Sequence, residues 1–248
     1  MTNRQTKILE LLSKQQRVDV NTLSSMLGVS QVTIRKDLDH LEDKDLIIRE
    51  HGYACLDRTD DVGKRIACNY EIKKRIARAA AATVEDGETV MIESGSCCAL
   101  FAEELALNKK DITIVTNSLF VVNYIRNEPN VKIIVLGGYY QPNSQVMVGP
   151  LTKKSAGIFF SSKFFIGVDG FVPKFGFTGK DHLRVQTIHD IAEFSQEIIV
   201  LTESEKFSQQ GVLGLMRTEN VKDVFTDEKI PFEAEKSLLE HNVFIHKV

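Results

Sequence analysis

The chain has 248 residues, of which 43% are apolar and 26% charged, with a net charge of −3. That length suits a small module joined to one larger domain. The balance allows real cores and argues against wholesale disorder. No apolar run approaches the roughly 18 residues of a membrane span, so no membrane partner is expected. The opening stretch, residues 1–12, carries charges inside its apolar pattern and does not read as a signal peptide. Cys55, Cys68, Cys97 and Cys98 form no C-x-x-C pair and no zinc spacing with histidine, so reduced thiols in a cytoplasmic protein are expected, with no metal and no cofactor.

Residues 4–15 place Ile8, Leu11 and Leu12 at helical spacing, and residues 20–27 repeat the pattern with Leu23, Met26 and Leu27. Gly28 is suited to end the second helix, and Ser30 to cap a third. That third helix, about 31–44, collects Ile34, Leu38 and Leu41 on one face. Val32, Thr33, Arg35 and Lys36 point the other way, as a recognition helix in a DNA major groove requires. Arg35 or Lys36 fits a guanine edge or a phosphate, Thr33 a phosphate or base, and Val32 a thymine methyl. The helix start, at Ser30 and Gln31, offers N–H groups to a phosphate. Residues 46–56 read as a hairpin turning at Glu50-His51-Gly52, the wing of a winged helix, with Arg49 and His51 set to touch the DNA backbone. A solvated face or a protein-contact module is the plain alternative for any one of these residues. The order helix, turn, helix, wing favours double-stranded operator DNA as the partner.

Residues 57–70 read as a polar linker. Beyond them strands and helices alternate: helix 71–83, strand 89–92, helix 97–107, strand 112–115, helix 118–126, strand 131–135, a loop from 136 to about 150, and strand 163–168. Helix 181–194, strand 197–201, strand 222–225, helix 233–240 and strand 243–246 follow. Short apolar strands between amphipathic helices predict a parallel sheet covered on both faces. The expected fold class is therefore α/β: a winged helix-turn-helix over 1–56, the linker, and a parallel-sheet αβα domain over 71–248.

Ligands bind such sheets beyond the strand C-termini. There the chain carries Glu93-Ser94-Gly95-Ser96-Cys97, Thr116-Asn117-Ser118, Gly137-Gly138, Asp169-Gly170 and Thr202-Glu203-Ser204-Glu205-Lys206. Each loop alone is ordinary turn chemistry. Together, small donors, a carboxylate and a lysine suit a phosphorylated sugar or polyol. The absence of G-x-G-x-x-G argues against a dinucleotide.

The stretch Val29-Ser30-Gln31-Val32-Thr33-Ile34-Arg35-Lys36-Asp37-Leu38-Asp39-His40-Leu41, followed by His51-Gly52-Tyr53, resembles the head of the DeoR family of bacterial regulators. The later motifs resemble that family's D-[ST]-G-[ST]-T, T-N-S, G-V-D-G and L-x-D-S-[ST]-K. The resemblance implies a sensor domain akin to sugar-phosphate isomerases and a regulator, more often a repressor, of a carbohydrate-metabolism operon. Effector binding would fall to Glu93, Ser94, Gly95, Ser96, Cys97, Thr116, Asn117, Ser118, Gly137, Gly138, Asp169, Gly170 and Lys206. A homo-oligomer, dimer or tetramer, would space the heads on the operator. Lys36 keeps the charge of the commoner Arg without its fork. Glu93 and Glu203 are longer than the family's Asp, and Cys97 donates more weakly than Thr. No catalytic residues are expected. The alternative is an isomerase-like enzyme carrying a DNA-binding head, with Asp169, Glu203 and Lys206 as acid and base.

Overall fold

The structure, a computed structural model, describes residues 1–15, 17–44, 46–50, 52–56 and 62–248. It divides into two compact units, Met1–Glu71 and Ile72–Val248. The first opens with helix α1 (Asn3–Gln15), strand β1 (Arg17–Asp19), helix α2 (Val20–Leu27) and helix α3 (Gln31–Asp43). Strands β2 (Ile48–Glu50) and β3 (Tyr53–Cys55) pair antiparallel, and β1 adds to β3 on the other side. Local chemistry sets these boundaries. Asp19 caps α2 by accepting from Asn21 and Thr22 N–H at 2.9 and 3.0 Å. Gly28 ends α2 in the left-handed conformation, φ 67°. Ile8, Leu12, Leu23, Ile34, Leu38, Leu41 and Ala54 fill the core.

The segment read as a linker is only partly described. Residues 57–61 lie outside the described residues. Residues after them form helix α4 (Val62–Ala67), and helix α5 (Tyr70–Ala81) starts at the linker's expected end. Val62, Ile66 and Ala67 are buried, and α4 packs on α1. The polar residues between them hid that stripe.

The second unit is built on seven parallel strands. In chain order these are β4 (Thr89–Ile92), β5 (Ile112–Thr116), β6 (Val131–Val135), β9 (Ser161–Ile166), β12 (Ser195–Leu201), β14 (Asp223–Thr226) and β15 (Phe244–Lys247). Their order across the sheet is β15-β14-β12-β9-β4-β5-β6, all parallel. The helices are α6 (Ser96–Asn108), α7 (Leu119–Ile125), α8 (Pro150–Ala156), α9 (His182–Ala192) and α10 (Phe232–Glu240). Alternate residues of one strand reach opposite layers. Phe164 and Ile166 join the large apolar cluster with Ile188, Ile198 and Leu238, while Phe165 packs on Phe101 of α6 at 4.1 Å. The predicted parallel sheet with both faces covered is what forms.

Two regions of the second unit depart from the sequence reading. The loop expected from 136 to about 150 contains a hairpin, β7 (Tyr139–Gln141) with β8 (Val146–Val148), and ends where α8 begins at Pro150. Three-residue strands are too short to show alternation. Strands β10 (Gly170–Val172), β11 (Gly176–Gly179) and β13 (Leu213–Met216) form a small antiparallel sheet where no strands were expected. Its glycines dilute any strand pattern.

The sheet fixes where a ligand site can lie. From β4 the chain proceeds outward through β5 and β6, then returns to lay β9 on the other flank of β4 and continues the opposite way. The crevice at the C-terminal ends of β4 and β9 is thus the topological switch point.

Candidate functional site

In the head, Ser30 caps α3: its hydroxyl accepts from Thr33 N–H at 3.2 Å. Ile34, Leu38 and Leu41 are buried, whereas Gln31, Val32, Arg35 and Lys36 are exposed and Thr33 is half-buried. Val32 is 61% exposed, an apolar group left open on a polar face. Buried Asp37 accepts from Arg4 and, at 3.2 Å, from Gln5 Nε2, which ties the back of α3 to α1. Arg49 is not free at the wing. Its guanidinium pairs with Asp39 and Glu42 of α3. His51 lies outside the described residues. Sequence reasoning missed Arg17, whose guanidinium sits 3.9 Å over the Tyr53 ring.

At the switch point of the second unit, the loop after β4 meets the loop after β9. A Cβ on Gly95 would lie 3.0 Å from the Gly167 Cα, so the two backbones touch as only glycines allow. Glu93 is buried, and its carboxylate accepts from Arg184 Nη2 at 3.1 Å, from the Ser94 hydroxyl and from Gly167 N–H at 3.4 Å. Burial pushes the Glu93 carboxyl up, but Arg184 and Ser94 outweigh it and hold it below the ordinary range. Burial likewise opposes the charge on Arg184, and Glu93 and Asp169 more than restore it.

A second buried pair lies in the same unit. Lys73 Nζ of α5 sits 2.9 Å from Glu203 Oε1, with side chains 2% and 9% exposed. Cys97 Sγ, in the first turn of α6, donates to Glu203 Oε2 at 3.6 Å. Burial and that carboxylate push the Cys97 thiol well above its ordinary value.

The other expected site residues are held as follows. Gly95 caps α6 with no side-chain hydrogen bond, and Ser96 is its half-buried first residue. Thr116 Oγ accepts from Ser118 N–H at 3.1 Å, and Ser118 caps α7. Asn117 donates its amide to the Met147 carbonyl at 2.9 Å, so the β7–β8 hairpin holds this loop; its buried Oδ1 has no partner among the described residues. Gly138 packs against Val148 of β8 and Thr152 of α8, and Gly137 precedes it. Asp169 accepts from Lys180 N–H at 3.0 Å, and Gly170 lies in β10 against Gln209. Lys206, half-buried on the turn 204–208, reaches Gln209 Oε1 at 3.3 Å. Glu93 therefore holds Arg184, whose charge Asp169 favours from a distance, and Cys97 and Glu203 are in contact. Asp169, Glu203 and Lys206, the acid–base set of the enzyme alternative, each bond to a different partner.

Lys73 and Arg184 escaped the sequence reading, yet both leave a signal. Lys73 lies on the same helical stripe as buried Ile76, Ala77 and Ala80. Arg184 shares its stripe with buried Thr187, Ile188 and Ile191. A cation on an apolar stripe has to meet a buried anion. Among the described residues no group of three potential metal ligands occurs, and no helix is long and apolar enough to cross a membrane.

Residues 68–228 match the family model of the DeoR C-terminal sensor domain, and residues 4–59 that of the DeoR-like helix-turn-helix domain. The chain belongs to the DeoR family of transcription regulators. Among curated relatives, the glycerol-3-phosphate regulon repressor of Escherichia coli K12 is 29% identical over 245 residues, covering 98% of this chain and 97% of that one. The L-fucose operon activator of Haemophilus influenzae is 28% identical over 250 residues, 98% of each chain. Ribose 5-phosphate isomerase A from Neisseria gonorrhoeae aligns over 54% of this chain and 52% of its own, at 17% identity and a TM-score of 0.41. Within this DeoR-family chain, α3 lies inside the helix-turn-helix domain, and the crevice between β4 and β9 falls inside the sensor domain.

Proposed function

We propose that this DeoR-family regulator controls a carbohydrate-metabolism operon, and that a phosphorylated sugar or polyol sets its hold on operator DNA. It acts in the cytoplasm, as a repressor, as a dimer or tetramer, and binds its effector without turnover. The observation that carries the reading is one chain with both a recognition helix open along its first turns and a buried, cation-bearing crevice at the sheet's switch point. Gln31, Val32, Arg35 and Lys36 read base edges, while Ser30 and Thr33 meet phosphate. Arg49 braces α3 through Asp39 and Glu42 as well as approaching the backbone with His51. Effector contacts fall to the loop 93–97 and to Thr116, Asn117, Ser118, Gly137, Gly138, Asp169, Gly170 and Lys206, with Lys73 added as a buried cation and Arg184 as a half-buried one. The relatives' names support the effector class and include both a repressor and an activator.

A thermal-shift screen of phosphorylated sugars and polyols against their unphosphorylated counterparts tests the sensor. A ligand that binds only the folded state raises the melting temperature. We expect a hit confined to a phosphorylated compound, which then alters salt-dependent binding to a selected DNA site. A panel without a hit, or turnover of the hit, overturns this reading.

A further inference from the structure

We propose that Glu203 is an internal ligand of the sensor: its carboxylate fills the anion position of the crevice, and the effector's phosphate binds by replacing it on Lys73. The proposal rests on the phosphosugar reading above and names how that site is regulated.

Four observations converge. The Lys73–Glu203 pair is buried on both sides at 2.9 Å, so Lys73 holds an anion where solvent does not reach. The other oxygen of that carboxylate faces the first turn of α6, through Cys97 Sγ at 3.6 Å. That 13-residue helix opens on Gly95 with no side-chain cap, so its first N–H groups present positive charge to whatever anion lies there. The side-chain donors at its mouth already serve the protein's own carboxylates, Ser94 on Glu93 and Cys97 on Glu203. The carboxylate is also free to leave without dismantling its surroundings. Glu203 precedes the turn 204–208 and makes no side-chain cap there. The turn is fastened separately, by Ser204 N–H and hydroxyl to Asp227 at 2.7 and 2.8 Å.

The exchange conserves charge at the buried cation. One anion leaves Lys73 and another arrives, so no charge is stranded. A neutral sugar has nothing to offer Lys73 in return for Glu203. Discrimination of phosphorylated from free sugar therefore follows from the competitor as well as from the cradle. The apparent affinity is the intrinsic one scaled down to the fraction of molecules in which Glu203 has left Lys73.

Inorganic phosphate is the probe, with full-length protein and melting temperature as the readout. E203Q removes the competing charge while keeping the side chain's size. We expect phosphate to stabilise E203Q with a midpoint at least about tenfold below that of the parent chain. Ribitol is expected to move neither, and the double variant K73M/E203Q is expected to lose the response. If E203Q does not fold, E203D, which draws the carboxylate back by one methylene, is expected to shift the midpoint in the same direction by less. Equal midpoints in parent and variant, or an undiminished response in K73M/E203Q, overturn the proposal. A phosphosugar hit on the parent together with equal phosphate midpoints overturns the internal ligand alone. Silence of every variant to phosphate and to the panel overturns the sensor reading with it.

Discussion

Removing the guanidinium of Arg184 isolates one buried charge and makes a quantitative test. In R184M, Glu93 stays 1% exposed but loses the partner at 3.1 Å. Breaking a buried pair from one side costs about 3–5 kcal/mol. Glu93 keeps the Ser94 hydroxyl and the Gly167 N–H, which places the expected loss near the low end, about 3 kcal/mol. For a sensor unit of this size that corresponds to roughly 6–12 °C in melting temperature. The loss must also depend on pH. In the parent chain Glu93 titrates below its ordinary 4.5, so its pair stabilises the fold above that pH and fades as the pH falls through the lower folded value. In R184M burial acts without the guanidinium, Glu93 titrates above 4.5, and the variant recovers relative to the parent as the pH falls. Calorimetry of the full chain at neutral pH and near about pH 5 reads the difference, which should shrink at the lower pH. R184M/E93Q should be more stable than R184M alone. An equal loss at both pH values, or additive single variants, would refute the argument.

Other expectations concern the head and the switch point. R35A should weaken operator binding, measured by fluorescence anisotropy, and leave the unfolding free energy within about 0.5 kcal/mol of the parent, since Arg35 is exposed; if Arg35 meets a phosphate, the salt slope falls by about one. D37A strips the acceptor of Arg4 and Gln5 and should destabilise the head by about 1–3 kcal/mol, read by urea titration with helix signal; an unchanged midpoint would show that α3 is held without it. G95A forces a Cβ to within 3.0 Å of Gly167 and should cost about 1–3 kcal/mol while weakening the phosphosugar response.

Helix α3 was legible because its period is long and clean: Ile34, Leu38 and Leu41 repeat on one face and Ser30 supplies the cap. The parallel sheet was legible because its strands contain continuous apolar runs such as residues 198–201 of β12. The β7–β8 hairpin and the glycine-bearing β10 and β11 carry too few alternating residues to register as strands. The loops of the crevice could be named from their chemistry, but not the cations inside it. Lys73 and Arg184 come from helices far along the chain, and only folding brings them to Glu203 and Glu93. Asn117 illustrates the converse. Its motif suggests a ligand, while its amide is bound to the Met147 carbonyl of a hairpin that the sequence hid.

The contacts that close the crevice span long stretches of chain: 91 residues from Glu93 to Arg184, and 106 from Cys97 to Glu203. Those of the head bridge far fewer, 33 from Arg4 to Asp37 and 10 from Arg49 to Asp39. On the ribosome, the partners of the head are therefore all made before the first strand of the sheet, β4, is translated. The crevice waits until Glu203 has emerged and loop closure over those distances has been overcome. A chain ending between these points carries all of the head but not the buried Lys73–Glu203 pair of the sensor unit, so under the function proposed above it would keep the surface proposed to read DNA without the means proposed to answer an effector.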